Sequence, residues 1–122
     1  MIFRGRNFDI NFFDADDVEK YEAAVDQYAQ DAEARKDGES VPEYIRRICD
    51  ACYRFFDALG GEGTSDALFD RDNIMDCAEV FSEFFAAAQA QQDEDKQRMS
   101  NIFPPRPPAV MPNRAQRRTS RA

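Results

Sequence analysis

The chain has 122 residues and a mass of 14.0 kDa, enough for one domain, with 16 Lys and Arg against 24 Asp and Glu for a formal charge of −8. It contains no His, no Trp and three Cys, which excludes Ser-His-Asp triads, Cys-His nucleophiles and imidazole metal sites. Its apolar runs fall far below the roughly 20 residues of a membrane-spanning helix, and Met1–Gly5 is not followed by the apolar stretch of a secretory signal.

The first segment predicts a β-hairpin. Phe8, Ile10 and Phe12 alternate with Asn7, Asp9 and Asn11, the period of a half-buried strand. Gly5-Arg6 fits a two-residue turn that pairs residues 1–4 with 7–13. Such a ribbon is marginal alone, so it must lie on the helices or extend a sheet with another subunit.

Asp14–Asp17 clusters helix-starting residues, and Asp16 to Glu19 has capping-box spacing. Val18, Tyr21, Val25, Tyr28 and Ala32 then recur at steps of three and four, one narrow stripe on a helix of about 20 residues. Asp37-Gly38-Glu39 is the expected stop. A second helix starts at Ser40-Val-Pro-Glu43, where an N-cap, an early proline and a Glu at the third position coincide. Ile45, Ile48, Cys49, Cys52, Phe55, Phe56 and Leu59 hold helical spacing until Gly60-Gly61 ends it.

Cys49-Asp-Ala-Cys52 has C-x-x-C spacing, but a zinc site lacks its fourth ligand. A redox pair belongs at a helix N-terminus, not mid-helix. Cys49, Cys52 and Cys77 therefore read as small core residues of a reducing compartment. Gly60–Ser65 resembles a phosphate loop but lacks the Gly-Lys-Ser/Thr ending and follows a helix rather than a strand. It reads as a cap, with Thr64 or Ser65 starting a short turn through Leu68-Phe69. Asp70–Asp76 lacks the glycine and glutamate of a calcium loop, and the other acid cluster, Asp14–Asp17, reads as helix capping.

The last helix is expected from near Asp72, with Ile74, Cys77, Ala78, Phe81, Phe85 and Ala88 facing inward and Met75, Val80 and Phe84 widening that face. Its polar end, Gln89–Met99, is expected in solvent. All 11 Phe precede residue 104. One member of each pair Phe12-Phe13, Phe55-Phe56 and Phe84-Phe85 is expected to cover a loop or the hairpin; the alternative is an exposed aromatic patch.

Residues 104–122 carry Arg106, Arg114, Arg117, Arg118 and Arg121 and no acid, for +5, while residues 1–103 carry −13. Five of the six prolines are here, and the apolar content is too low to offset the entropy of ordering. The reading is a mainly α (α+β) fold: a hairpin plus three-helix domain over 1–103, and a disordered Pro/Arg-rich tail over 104–122. The arginines could meet nucleic acid, but the acidic body opposes a polyanion. A partner-binding or solubilising tail is favoured over nucleic acid. No catalytic, cofactor-binding or metal-ligating residue is expected.

Phe8-Asp-Ile-Asn-Phe-Phe-Asp14, Phe55-Phe-Asp-Ala-Leu-Gly-Gly-Glu-Gly-Thr-Ser65 with Leu68-Phe69, and Val80-Phe-Ser-Glu-Phe-Phe85 together resemble small tail assembly chaperones of long-tailed (siphovirus-type) phages and prophages. Asn113–Arg118 is similar to basic endings of phage-encoded chains. The resemblance spans residues 2–86 and implies a non-enzymatic protein of the bacterial host's cytoplasm. It would bind the phage tape measure protein, and with it the tail-tube protein, without a membrane, and a homo-oligomer is among the expectations. The expected client-binding residues are Phe81, Phe84 and Phe85, with Tyr21 and Tyr28 beside them. The alternatives are a head–tail connector or completion protein, and a small accessory protein that binds nucleic acid through the basic tail.

Overall fold

The computed structural model describes residues 1–103. The expected tail, with Arg106, Arg114, Arg117, Arg118 and Arg121, lies outside the described residues. The order is β1 (Ile2–Phe3), β2 (Arg6–Asn7), α1 (Ala15–Asp31), α2 (Val41–Gly60), α3 (Thr64–Leu68) and α4 (Ile74–Ile102). The architecture is mainly helical with an N-terminal two-stranded hairpin, as the pattern implies; the expected short turn after Gly63 is a helix of its own.

The hairpin is shorter than expected and its turn sits one residue earlier. Ile2 pairs with Asn7 and Phe3 with Arg6, so Arg4-Gly5 forms the turn, at φ values of 50° and 80°. Two consecutive positive φ angles suit the twist of a tight antiparallel ribbon, and Gly5 supplies the second at no steric cost. Residues 8–13 are a strap rather than a strand. Phe8 still exchanges backbone hydrogen bonds with Met1, 2.7 Å each way; beyond it Ile10 is buried and Phe12 half-buried while Asp9 and Asn11 face out, so the alternation continues without a partner strand. The strap closes on its own backbone (Ile10 N to Phe8 O, 3.0 Å; Asp14 N to Asn11 O, 3.0 Å).

α1 is capped by Asp14, whose carboxylate accepts from Asp17 N, rather than by the expected Asp16. It ends at Asp31, not at Asp37. The cause is Arg47 of α2, which donates to the carbonyls of Asp31 (2.9 Å), Glu33 (3.0 Å) and Ala34 (3.2 Å) and grips Glu39 at 2.8 Å. One guanidinium satisfies carbonyls that α1 would otherwise bond by continuing. α2 follows expectation: Ser40 and Glu43 form a reciprocal capping box, Pro42 sits in the first turn, and Gly61 takes φ 98° just past the end. Asn73 caps α4 by accepting from the Met75 and Asp76 amides.

The core is a block of phenylalanine rings. Phe84 meets Phe3 at 5.3 Å, Phe8 at 5.1 Å and Phe56 at 5.1 Å between centroids, mostly edge to face. Such geometry sets the positive ring edge on the negative ring face. The three pairs behave differently. Phe55 and Phe56 are both buried; Phe84 is buried while Phe85 is 41% exposed; Phe12 is half-buried while Phe13 is 54% exposed. α1 contributes only Ala24 to the buried set, as its narrow stripe predicts. Cys49, Cys52 and Cys77 are buried free thiols between α2 and α4. Burial pushes the Cys49 thiol up to about 12.

Candidate partner-binding surface

The expected client-binding residues do not form one open face. Phe84 is 0% exposed and Phe81 8%, so both belong to the core, and the assignment of an exposed face to them is corrected. The physical reason is that hairpin and strap land on α4 and cover Phe84 with Phe3 and Phe8. Phe85 remains at the surface, stacked on Phe81 at 5.4 Å and 10°. Tyr28 is half-buried, its ring 4.6 Å from Phe81, and Tyr21 packs edge-on against Phe12 at 5.3 Å. Desolvation raises both phenols. Phe81, Phe85 and Tyr28 are thus brought together, but only Phe85 offers much ring to a partner.

The open apolar surface lies further along α4. Phe85, Gln89, Gln92, Lys96, Met99 and Phe103 recur at steps of four and three, a single seam along one side of the helix. Its ends are apolar and its middle polar. Phe13, from the strap, fills the middle: its ring lines one depression of about 190 Å³ with Gln89, Gln92, Asp93 and Lys96. It lines a second of about 200 Å³ with Asp95, Arg98, Met99 and Ile102. Ile102 and Phe103 are 65% and 69% exposed.

Asp95 holds the strap there. It is buried, and its carboxylate accepts from the Phe12 backbone N–H (3.1 Å) and from Gln91 Nε2 (2.8 Å), with Arg98 at 3.7 Å. The expectation that Gln89–Met99 stands wholly in solvent is therefore corrected: Asp95 is interior and Gln91, Gln92 and Met99 are half-covered. Phe13, Met99, Ile102 and Phe103 escape a reading by composition because the polar stretch masks them. The continuing four-three spacing from Phe85 is the signal that finds Met99 and Phe103; Phe13 and Ile102 join them only in the fold.

The Gly60–Ser65 segment ends α2 as read, but α3 starts from Gly63 without a side-chain cap, and Thr64 and Ser65, expected as its cap, are its first two residues. Gly60 lies so close to Thr64 that an added Cβ would stand 2.7 Å from Thr64 Oγ1. Asp57 takes the Ser65 amide (2.8 Å) and hydroxyl (3.0 Å), so a carboxylate of the chain occupies donors that an anion would need. Beside it, Tyr53 donates to Asp72 at 2.7 Å in an open depression of about 310 Å³ lined by Asp66, Asp70 and Asp72. Burial, with the Asp72 carboxylate beside it, raises the Tyr53 phenol. No helix of the described residues is long and apolar enough to cross a membrane, and among those residues no group of three or more Cys, Asp or Glu could hold a metal ion.

Compared with known proteins, the chain matches one family model, a family of unknown function (DUF6673), over residues 4–121. No curated protein and no solved structure matches it.

Proposed function

The chain belongs to the DUF6673 family, and we propose that it is a non-enzymatic assembly chaperone that holds an amphipathic helical segment of a client on the α4 seam. The client class is the one its sequence resemblance implies, the tape measure protein of a long-tailed phage, with tail-tube subunits recruited to that complex in the host cytoplasm. One observation carries the reading: Phe13, Phe85, Met99, Ile102 and Phe103 gather along one side of α4, four of them among the few large apolar side chains left exposed. Apolar anchors at helical spacing suit a client helix with its own i, i+3, i+4 pattern. The acidic body keeps such a surface soluble by self-repulsion.

Co-expression with the tape measure protein of the same genome tests this. The expected result is a soluble client that copurifies. A double variant, Phe13→Ser with Phe103→Ser, should lower retention roughly tenfold, about 1.4 kcal/mol, with an unchanged melting curve. A client that stays insoluble and unbound beside the folded protein overturns the reading. So does retention indifferent to the double variant, and presence in mature virions points to a connector instead.

A further inference from the structure

The three buried cysteines are nucleophilic groups that the client reading leaves unused, and the fold sorts them by position. Cys49 and Cys52 stand mid-helix in α2, whereas Cys77 is the fourth residue of α4. Its amide donates to the carbonyl of Asn73, the capping residue, at 3.1 Å. The thiol therefore sits in the first turn, where the helix dipole favours a thiolate. The helix start that a redox cysteine wants, missing from the C-x-x-C pair, is supplied by Cys77. Its Sγ lies 3.5 Å from Cys49 Sγ, between α2 and α4. A disulfide spans about 2.05 Å, so sulfur movement of about 1.5 Å separates contact from bond. The Cys52 and Cys49 thiols, by hydrogen bonding to Cys77, draw its thiol below the ordinary value. Burial drives Cys49 the other way. One sulfur is suited to attack, and its neighbour keeps its proton.

We infer that Cys49 and Cys77 form an oxidation site that takes hydrogen peroxide and answers with a reversible disulfide between α2 and α4. The Cys77 thiolate attacks one peroxide oxygen, and the O–O bond breaks. Hydroxide leaves and takes up the proton that Cys77 gave away, so Cys77 becomes a sulfenic acid. Cys49 sulfur then attacks Cys77 sulfur, the S–O bond breaks, and the oxygen leaves as water with the Cys49 proton. Two thiols lose two electrons and two protons, and one peroxide becomes two waters. Peroxide is little larger than water, so local opening of the packed helices admits it where a bulky disulfide reagent is kept out. A small thiol reductant reverses the bond during longer openings. The link closes a loop of 28 positions that holds the end of α2, all of α3 and the Asp70–Asn73 connector. It thereby restrains the stretch leading into α4. This site stands apart from the client reading.

The test exposes the folded full chain to excess peroxide, blocks the remaining thiols and maps the peptides without reductant. Trypsin leaves Cys49 and Cys52 in residues 48–54 and Cys77 in residues 72–96. The expected product is these two peptides joined, with fragmentation placing the bond at Cys49. The oxidised protein should melt about 10 °C above the reduced one, and dithiothreitol should remove both the link and the shift. A native chain that keeps three free thiols, and joins them only in urea, overturns the inference. So does a bond at Cys52, a link between two chains, or added oxygen on Cys77 beside a free Cys49. A correctly linked protein that melts no higher than the reduced form overturns the restraint on the fold.

Discussion

At the scale of single residues, the two members of Phe84-Phe85 have opposite roles although they are adjacent. Phe84 touches Phe3, Phe8, Phe55 and Phe56, so Phe84→Ala leaves a cavity at the centre of the only large core of the described residues. A loss of about 3–5 kcal/mol is expected in urea unfolding. Phe85→Ala should cost much less stability and show its effect in client retention. A second residue-scale expectation concerns acid. Hydrogen bonding from the Arg47 guanidinium holds the Glu39 carboxyl down at about 2, from an ordinary 4.5. A carboxyl depressed on folding stabilises above its unfolded value and loses that contribution as pH falls towards its folded one. Wild type should therefore melt above Glu39→Gln at pH 7, with the gap closing between about pH 4.5 and pH 2.

At the scale of elements, α2 was legible almost residue by residue. Ser40, Pro42 and Glu43 at its start and Gly60-Gly61 at its end are local signals, and local hydrogen bonds satisfy them. Ser40→Ala, which removes one half of the capping box, should cost about 1 kcal/mol in thermal unfolding. Gly60→Ala should cost more, about 1–3 kcal/mol, because the new methyl must displace Thr64 and the Phe8 ring, each within 2.8 Å of it. The end of α1 was not legible in the same way. It is set by Arg47, 16 positions beyond Asp31, and periodicity carries no information about a remote arginine. The strap misled for a related reason. Alternating burial at Phe8, Ile10 and Phe12 fits a strand and an unpaired extended segment equally, and only the neighbouring backbone distinguishes them. The candidate surface was half legible: Phe85 was found from its place on the helix and the same spacing reaches Phe103, whereas Phe13 needed the strap to be set against α4.

At the scale of the whole molecule, the start of the chain and its longest helix form one unit. Phe12 N–H to Asp95, with Arg4 gripping Glu83 in a two-pronged pair at 2.9–3.0 Å, joins the first residues to the last element described. The Arg4 pair is exposed and contributes little; the Asp95 bond is buried, and its loss strands a backbone donor. Asp95→Ala should destabilise by about 1–3 kcal/mol. It should also speed hydrogen exchange at Asn11–Phe13 well before α2 is affected, because the strap can open without the rest.

That joining of beginning and end sets an order of events during synthesis. Phe3, Phe8 and Phe12 leave the ribosome early, yet their cover arrives with Phe84 and with Asp95, 83 positions after Phe12. Until α4 emerges, these rings have only part of their native cover, Phe56 beside Phe3 and Phe8 and Tyr21 beside Phe12, and the nascent chain carries incompletely covered aromatic surface through most of its translation. α1 and α2 can pair by themselves first, since their contacts are near in sequence. Conditions that slow elongation within codons 70–95 should therefore lower the soluble yield of this protein more than an equal delay within codons 15–60.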